Sequence, residues 1–281
     1  MKFDFFTFGG GQFWEDVFFY QKWRIQRNHK TKQYRLLDNW DIRRNQGTFE
    51  ECRQAFVKFI EVYEISRQKG HMVIMLHGLG DTKNIFKPLW RKTLESGYMA
   101  AAINYPSTRK DLASQIRQLD FLMNNLEDVT EVSFVTKGIG GVILRALLNG
   151  NAPWLEKIKI NRVVQINPPN KGSKWLEALS KYEIMRWLLG PMLEEMTPSK
   201  VAKVPNFKKD VQVGIIYASS GLKKWKWLLP SKLKSCLPGK EEVELQGARE
   251  VALVKNGKLN VINNPKVVTY TTNFLVNGNM Q

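Results

Sequence analysis

Histidine is nearly missing from this 281-residue chain: His29, His71 and His77 are the only three, and none follows residue 77. Chemistry that needs an imidazole from the long C-terminal part is therefore excluded. Cysteine is scarce as well. Cys52 and Cys236 are too few and too distant in sequence for a disulfide framework, which fits a reducing compartment and a cytoplasmic protein. No His/Cys cluster has the spacing of a metal site, so no metal is expected. Gly9-Gly10-Gly11 and Gly138-x-Gly-Gly lack a following Lys-Ser/Thr, which removes the phosphate-loop reading, and no cofactor motif is present. No apolar run is long enough to span a bilayer. The aromatic N-terminus is interrupted by Asp4, Glu15 and Asp16 with no small-residue cleavage site, so it does not read as a signal peptide.

Acidic residues are also in deficit, with 26 Asp and Glu against 43 Lys and Arg, for a net charge of +17. Such a charge favours anionic partners, whether phospholipid headgroups, nucleic acid or acidic proteins, unless the lysines are dispersed and serve solubility alone. With 43% hydrophobic residues the chain can bury one substantial core.

Residues 1–69 read as an N-terminal extension. WRIQRN and QYRLLD form a candidate hairpin, Thr48-Phe-Glu-Glu51 has capping-box spacing, and CRQAFVKFIEVYEI has helical periodicity that Gly70 is expected to end. Residues 70–281 alternate apolar strands with amphipathic helices. The strands are MVIMLH, YMAAAINY, EVSFVT, RVVQIN and VQVGIIYAS; the helices lie around FKPLWRKTLES, DLASQIRQLDFLMNNL and GGVILRALLN. This order predicts an α/β fold with a mostly parallel central sheet and helices on both faces. An insertion at about 171–209 is expected to form one or two helices, broken near Gly190-Pro191. It serves either as a small helical cap over the C-terminal edge of the sheet or as plain packing.

MLHGLGDTKNIFKPLW, INYPSTR, FVTKGIGGVILRAL, VVQINPPNKGS and the closing NPKVV…NFLVNG, in that order, resemble bacterial α/β-hydrolases of the lipase/esterase type over roughly 70–281. In that family a strand-to-helix turn, G-x-S-x-G, holds the nucleophile. The matching residues here are Thr136, Lys137, Gly138, Ile139 and Gly140, so the resemblance places a glycine where the serine belongs. A glycine there relieves roughly 1–3 kcal/mol of backbone strain. His77-Gly78-Leu79-Gly80 resembles the oxyanion loop. The resemblance maps the two oxyanion donors to the backbone N–H groups of Leu79 and Ile139, with His77, Gly78 and Gly80 bordering the pocket. The alternative is a strand-end turn in which His77 is a structural hydrogen bonder.

The family's acid falls near LPGKEEVEL, where Glu241 and Glu242 are the nearest carboxylates. Its histidine would lie before Asn264-Pro265, where Asn256-Gly257 signals a tight turn and Lys255 or Lys258 occupies the neighbourhood. Loss of nucleophile or base removes about 10⁶ in turnover. A substitute pair, Thr136 attacking with Lys137 as base, is badly placed because neighbouring strand residues point to opposite faces.

One further stretch stands out, LKKWKWLLPSKLKSCLPGK at 222–240. Lys223, Lys224, Lys226, Lys232 and Lys234 alternate with Trp225, Trp227 and leucines, with no acidic residue. It suits an anionic membrane surface, the bases and phosphates of nucleic acid, or a loop anchored by its apolar residues with solvated lysines. Three readings of function follow: a catalytically degenerate lipase/esterase-like protein binding an acyl or ester-like small molecule or an anionic surface; an active ester or lipid hydrolase with unorthodox residues; or a basic nucleic-acid-associated protein.

Overall fold

Four short, mainly apolar runs and two mixed runs build the central sheet. They are β5 (Gly70–Leu76), β6 (Met99–Ile103), β7 (Val129–Lys137), β8 (Lys159–Ile166), β9 (Gln212–Ala218) and β10 (Glu250–Val254). The structure, a computed structural model, describes residues 10–219, 236, 238–255 and 261–281. The six strands lie in the order β10-β9-β8-β7-β5-β6, and every pairing is parallel. Parallel strands need helical crossovers, which cover both faces of the sheet.

The two-residue pleat divides the core. Met72, Ile74, Leu76 and Phe134 pack with α3 (Leu112–Asn124) and α4 (Gly140–Leu148) through Leu119, Leu122, Val142 and Ile143. Val73, Met75 and Val135 face α2 (Lys87–Glu95) and α10 (Pro265–Asn277) through Leu89, Val267 and Phe274.

Ahead of this layer lies a four-stranded antiparallel meander: β1 (Trp14–Tyr20), β2 (Trp23–Asn28), β3 (Tyr34–Leu37) and β4 (Arg43–Gly47). The WRIQRN and QYRLLD runs pair as β2 and β3, with Ile25 opposite Leu36. Sequence patterning missed β1 and β4 for opposite reasons. β1 carries Glu15 and Asp16, which look like loop residues but are fully buried, and β4 is a polar, mostly exposed edge. α1 (Phe49–Val62) packs Cys52 and Phe56 onto the meander. Thr48 and Glu51 form its capping box, the Glu51 N–H donating to Thr48 Oγ1 at 3.2 Å and the Thr48 N–H to Glu51 Oε2 at 2.7 Å.

The helix does not run on to Gly70. It stops at Val62, where Glu64 turns left-handed (φ 49°) and the Ile65 N–H donates to Ile60 O at 3.0 Å, a Schellman-type stop. Gly70 instead opens β5.

Asp16 joins the meander to the parallel layer. Its carboxylate accepts from Arg24 Nη1 (2.7 Å), Gln26 Nε2 (2.7 Å) and the Asn104 N–H at the end of β6 (2.8 Å).

The segment between β8 and β9 holds four short helices rather than one or two: α6 (Lys174–Ser180), α7 (Glu183–Leu189), α8 (Met192–Glu195) and α9 (Pro198–Val201), following α5 (Trp154–Lys157) further upstream. Gly190-Pro191 separates α7 from α8, since Gly190 takes φ 72° and Pro191 caps the next helix. Met192, Leu193, Met196 and Val201 are buried, whereas Ile184 and Trp187 on α7 are exposed. Neither cysteine forms a disulfide. Among the described residues no helix is long and apolar enough to cross a membrane.

Candidate active site

β7 ends at Lys137 and α4 begins at Gly140, so the chain reverses through Gly138 and Ile139 at the C-terminal edge of the sheet. Gly138 sits at φ 53°, and its N–H donates to Ile166 O on the neighbouring strand at 2.9 Å. A non-glycine residue would be strained there. Yet a Cβ on Gly138 meets nothing nearer than the Cα of Gly78 at 3.8 Å, so the apex has room for a side chain. Gly140 is different. A Cβ there would stand 2.7 Å from Leu76 O and 2.9 Å from His77 O, so glycine is what lets α4 approach β5.

A cavity of about 320 Å³ opens over this turn. Gly78, Leu79, Gly138 and Ile139 form its floor. Pro168, Trp175, Leu176, Tyr217 and Val243 supply apolar walls, and Asp81, Lys137, Asn167, Ser173 and Glu242 are the polar groups on its lining. The Leu79 and Ile139 N–H groups meet no acceptor among the described residues, and both residues line the cavity. Lys137 Nζ pairs with Asp81 Oδ2 at 2.7 Å, each side chain about one-fifth exposed (21% and 22%). The Asp81 backbone is tethered in turn, its carbonyl accepting from Gln12 Nε2 at 2.7 Å.

Glu242 borders the cavity half-buried. Burial raises its carboxyl above the usual range, against the opposing effect of hydrogen bonds from the Ser173 hydroxyl and the Lys174 N–H. Across the floor, Asn167 (φ 49°) bridges two strand ends: its Nδ2 donates to Ala218 O at 2.8 Å and its Oδ1 accepts the Ala218 N–H at 2.7 Å.

The other expected residues lie elsewhere. His77 is fully buried and does not border the cavity. Its Nδ1 donates to Gly78 O at 2.9 Å, its Nε2 accepts the Tyr105 N–H at 3.4 Å, and its ring stacks on Tyr105 with centroids 4.0 Å apart. The Tyr105 hydroxyl also donates to His77 O. Gly80 takes φ 73° and its N–H donates to Ser107 Oγ at 3.0 Å, outside the cavity lining. Thr136 is buried in β7 with its hydroxyl unpartnered, while Lys137 is engaged by Asp81, so the two do not form a pair. Glu241 is exposed and off this cavity. His71 contacts Ser133 Oγ at 2.9 Å near the opposite edge of the sheet, and His29 stacks on Phe13 in the meander. Lys223, Lys224, Trp225, Lys226, Trp227, Lys232 and Lys234, with Asn256, Gly257 and Lys258, lie outside the described residues. Lys255 is exposed, its carbonyl accepting from Asn264 Nδ2 at 3.3 Å. Among the described residues no group of three or more His, Cys, Asp or Glu side chains could hold a metal ion.

Sequence reasoning passed over Asp81, Asn167, Trp175 and Tyr217. Asp81 had a visible signal, an acid directly after a glycine-rich strand-end loop. Asn167 ahead of Pro168-Pro169 also marks a turn that tolerates positive φ. The aromatic walls come from the segment between β8 and β9 and from β9, and their convergence is not a sequence pattern.

Burial pushes His77 down to about 4. The unfolded chain takes up this proton near pH 6.5, so the contribution of neutral His77 to stability is complete above 6.5 and is lost as pH falls towards 4. The slope is about 1.4 kcal/mol per pH unit. Urea unfolding of the wild type from pH 7 to pH 4.5 should show that decline. His77→Gln should be less stable at pH 7 but have a flatter profile. Equal slopes would contradict the assignment.

No protein-family model matches the sequence, and no curated protein matches it. Solved structures do. A metagenomic carboxyl esterase is similar over 69% of this chain and 65% of its own, at 15% identity and a TM-score of 0.52. Polyneuridine aldehyde esterase aligns more loosely over 75% of this chain and all 100% of its own, at 14% identity and a TM-score of 0.44. An esterase from Exiguobacterium antarcticum aligns over 74% and 91%, at 13% identity and 0.43. The six-stranded parallel sheet, its two helical faces and the strand-to-helix turn at its C-terminal edge are those of the α/β-hydrolase fold. This chain has that fold.

Proposed function

We propose that this chain is a lipase/esterase-like scaffold that has lost catalysis and uses the cavity above Gly138 to bind an acyl or ester-like molecule. The observation that carries the proposal is Gly138 itself: an unoccupied, left-handed apex at the end of β7, under a cavity lined mainly by apolar side chains. A polar head with an acceptor oxygen suits the open Leu79 and Ile139 N–H groups, and an acyl body suits the wall of Trp175, Leu176 and Tyr217. Hydrolysis through unorthodox residues has less support, because Thr136 is buried away from the cavity and Lys137 is held by Asp81. The anionic-surface and nucleic-acid readings rest mainly on 222–240, nearly all outside the described residues, and carry no part of this proposal.

Untargeted mass spectrometry of small molecules that copurify tests it. An acyl-bearing compound should accompany the wild type and be lost from Leu176→Glu, which sets a charge in the wall while circular dichroism stays unchanged. Purified protein with no acyl-bearing compound, and no uptake of one on incubation with fatty acids or their esters, would contradict it.

A further inference from the structure

A second cleft, of about 590 Å³, lies between the meander and α2 and shares no residue with the Gly138 cavity. From the meander come Lys22 in the β1–β2 turn, Arg24 on β2, and Trp40 and Asp41 in the β3–β4 turn. Lys83, Lys87 and Trp90 come from α2 and the turn before it. Four cationic side chains thus face one carboxylate, Asp41. It pairs with Lys83 Nζ at 2.6 Å and stands 3.6 Å from Arg24 Nε.

Two features point to a missing partner. Arg24 is more than nine-tenths buried, its side chain 8% exposed, and it lines the cleft with its Nε lacking any hydrogen-bond acceptor. Buried guanidinium donors are normally satisfied. Its Nη1 is committed behind the cleft, to Asp16 at 2.7 Å and Ala102 O at 3.3 Å. Secondly, Trp40 presents its ring at 76% exposure on the rim, and Lys22 Nζ stands 5.2 Å from the Trp90 ring centroid. A cation surplus asks for an anion of more than one charge, and the two indoles ask for a planar, apolar body beside it. Crowding is already felt at Lys83, whose ammonium is pushed down by burial and then by Arg24, despite Asp41.

We propose that this cleft binds a phosphate monoester of a planar aromatic group, a ligand of mononucleotide class. The phosphate lies among Arg24, Lys83, Lys22 and Lys87, and the ring stacks on Trp40. Asp41 then accepts from a hydroxyl or amino group of the ligand.

Calorimetric titration of the full chain with AMP, phenyl phosphate, adenosine and inorganic phosphate tests this. AMP and phenyl phosphate should bind saturably, and adenosine and inorganic phosphate should bind at least about tenfold more weakly. Trp40→Ala should weaken AMP about tenfold, the scale of one base–aromatic stack. Lys22→Glu with Lys87→Glu should abolish binding; all three side chains are exposed, so the variants should fold. Leu176→Glu in the other cavity should leave AMP affinity unchanged, which separates this inference from the acyl-ligand proposal. Absence of saturable binding of AMP and phenyl phosphate at millimolar concentration would overturn the inference. Inorganic phosphate binding as tightly as AMP with Trp40→Ala inert would do the same.

Discussion

Gly138→Ser is expected to fold and to remain without ester turnover. The Cβ has space, since its nearest neighbour is the Gly78 Cα at 3.8 Å, and the left-handed φ of 53° costs roughly 1–3 kcal/mol, which a well-packed domain tolerates. The new hydroxyl would rise into the cavity over the Leu79 and Ile139 N–H groups, the arrangement a nucleophile uses. What it lacks is a base. His77 is sealed behind the floor with both ring nitrogens engaged and held neutral by burial, and no histidine follows it in the chain. Lys137 is a cation bound to Asp81. Absence of the base alone costs about 10⁶ in turnover in serine hydrolases. Hydrolysis of p-nitrophenyl acetate by Gly138→Ser should therefore match the wild-type background, and fluorophosphonate labelling should stay negligible. A gain of about 10³-fold would reveal a working base in the cavity.

The largest expected loss of stability comes from Asp16→Ala. Asp16 is wholly buried and receives Arg24, Gln26 and the Asn104 N–H, so its removal strips a buried guanidinium of its nearest carboxylate and leaves two further donors without an acceptor at the junction of the two sheets. Breaking such a pair costs about 3–5 kcal/mol. At roughly 2–4 °C per kcal/mol, the Tm should fall by about 10 °C in one transition covering both sheets. Arg67→Ala breaks an ion pair with Asp128 whose arginine is largely exposed, at 76%, and should leave the Tm nearly unchanged. Two separate transitions for the wild type, or a small Asp16→Ala shift, would show that the meander is not part of one cooperative unit.

Much of the parallel layer is legible in the sequence because its signals are local. MVIMLH and VQVGIIYAS are mostly buried and nearly free of polar interruptions, EVSFVT keeps only Ser133 and Thr136 as buried polar residues, and the helices between them keep their period. The meander is harder to read. β1 hides behind Glu15 and Asp16, whose charges are met by Arg27 and Arg24 on the neighbouring β2 and, for Glu15, by Lys110 from a different part of the chain. β10 alternates exposed Val251 and Leu253 with less exposed residues at the sheet edge, so it does not look like a core strand. At the site, the glycine apex and the glycine-rich turn at 78–80 can be read directly, because positive φ at Gly138 and Gly80 dictates residue type. The Lys137–Asp81 pair and the burial of His77 cannot, since both depend on which side of β5 and β7 each side chain leaves the sheet.

Ester turnover by the purified chain bears most directly on the proposed loss of catalysis. Steady-state assays over a series of p-nitrophenyl esters, with fluorophosphonate labelling of the same sample, should show no more than the residual 10³–10⁴ over water that oxyanion donors and binding alone provide, and no labelled residue. A turnover of about 1 s⁻¹ or more that copurifies with this polypeptide, or stoichiometric labelling of one of its serines, would contradict the account.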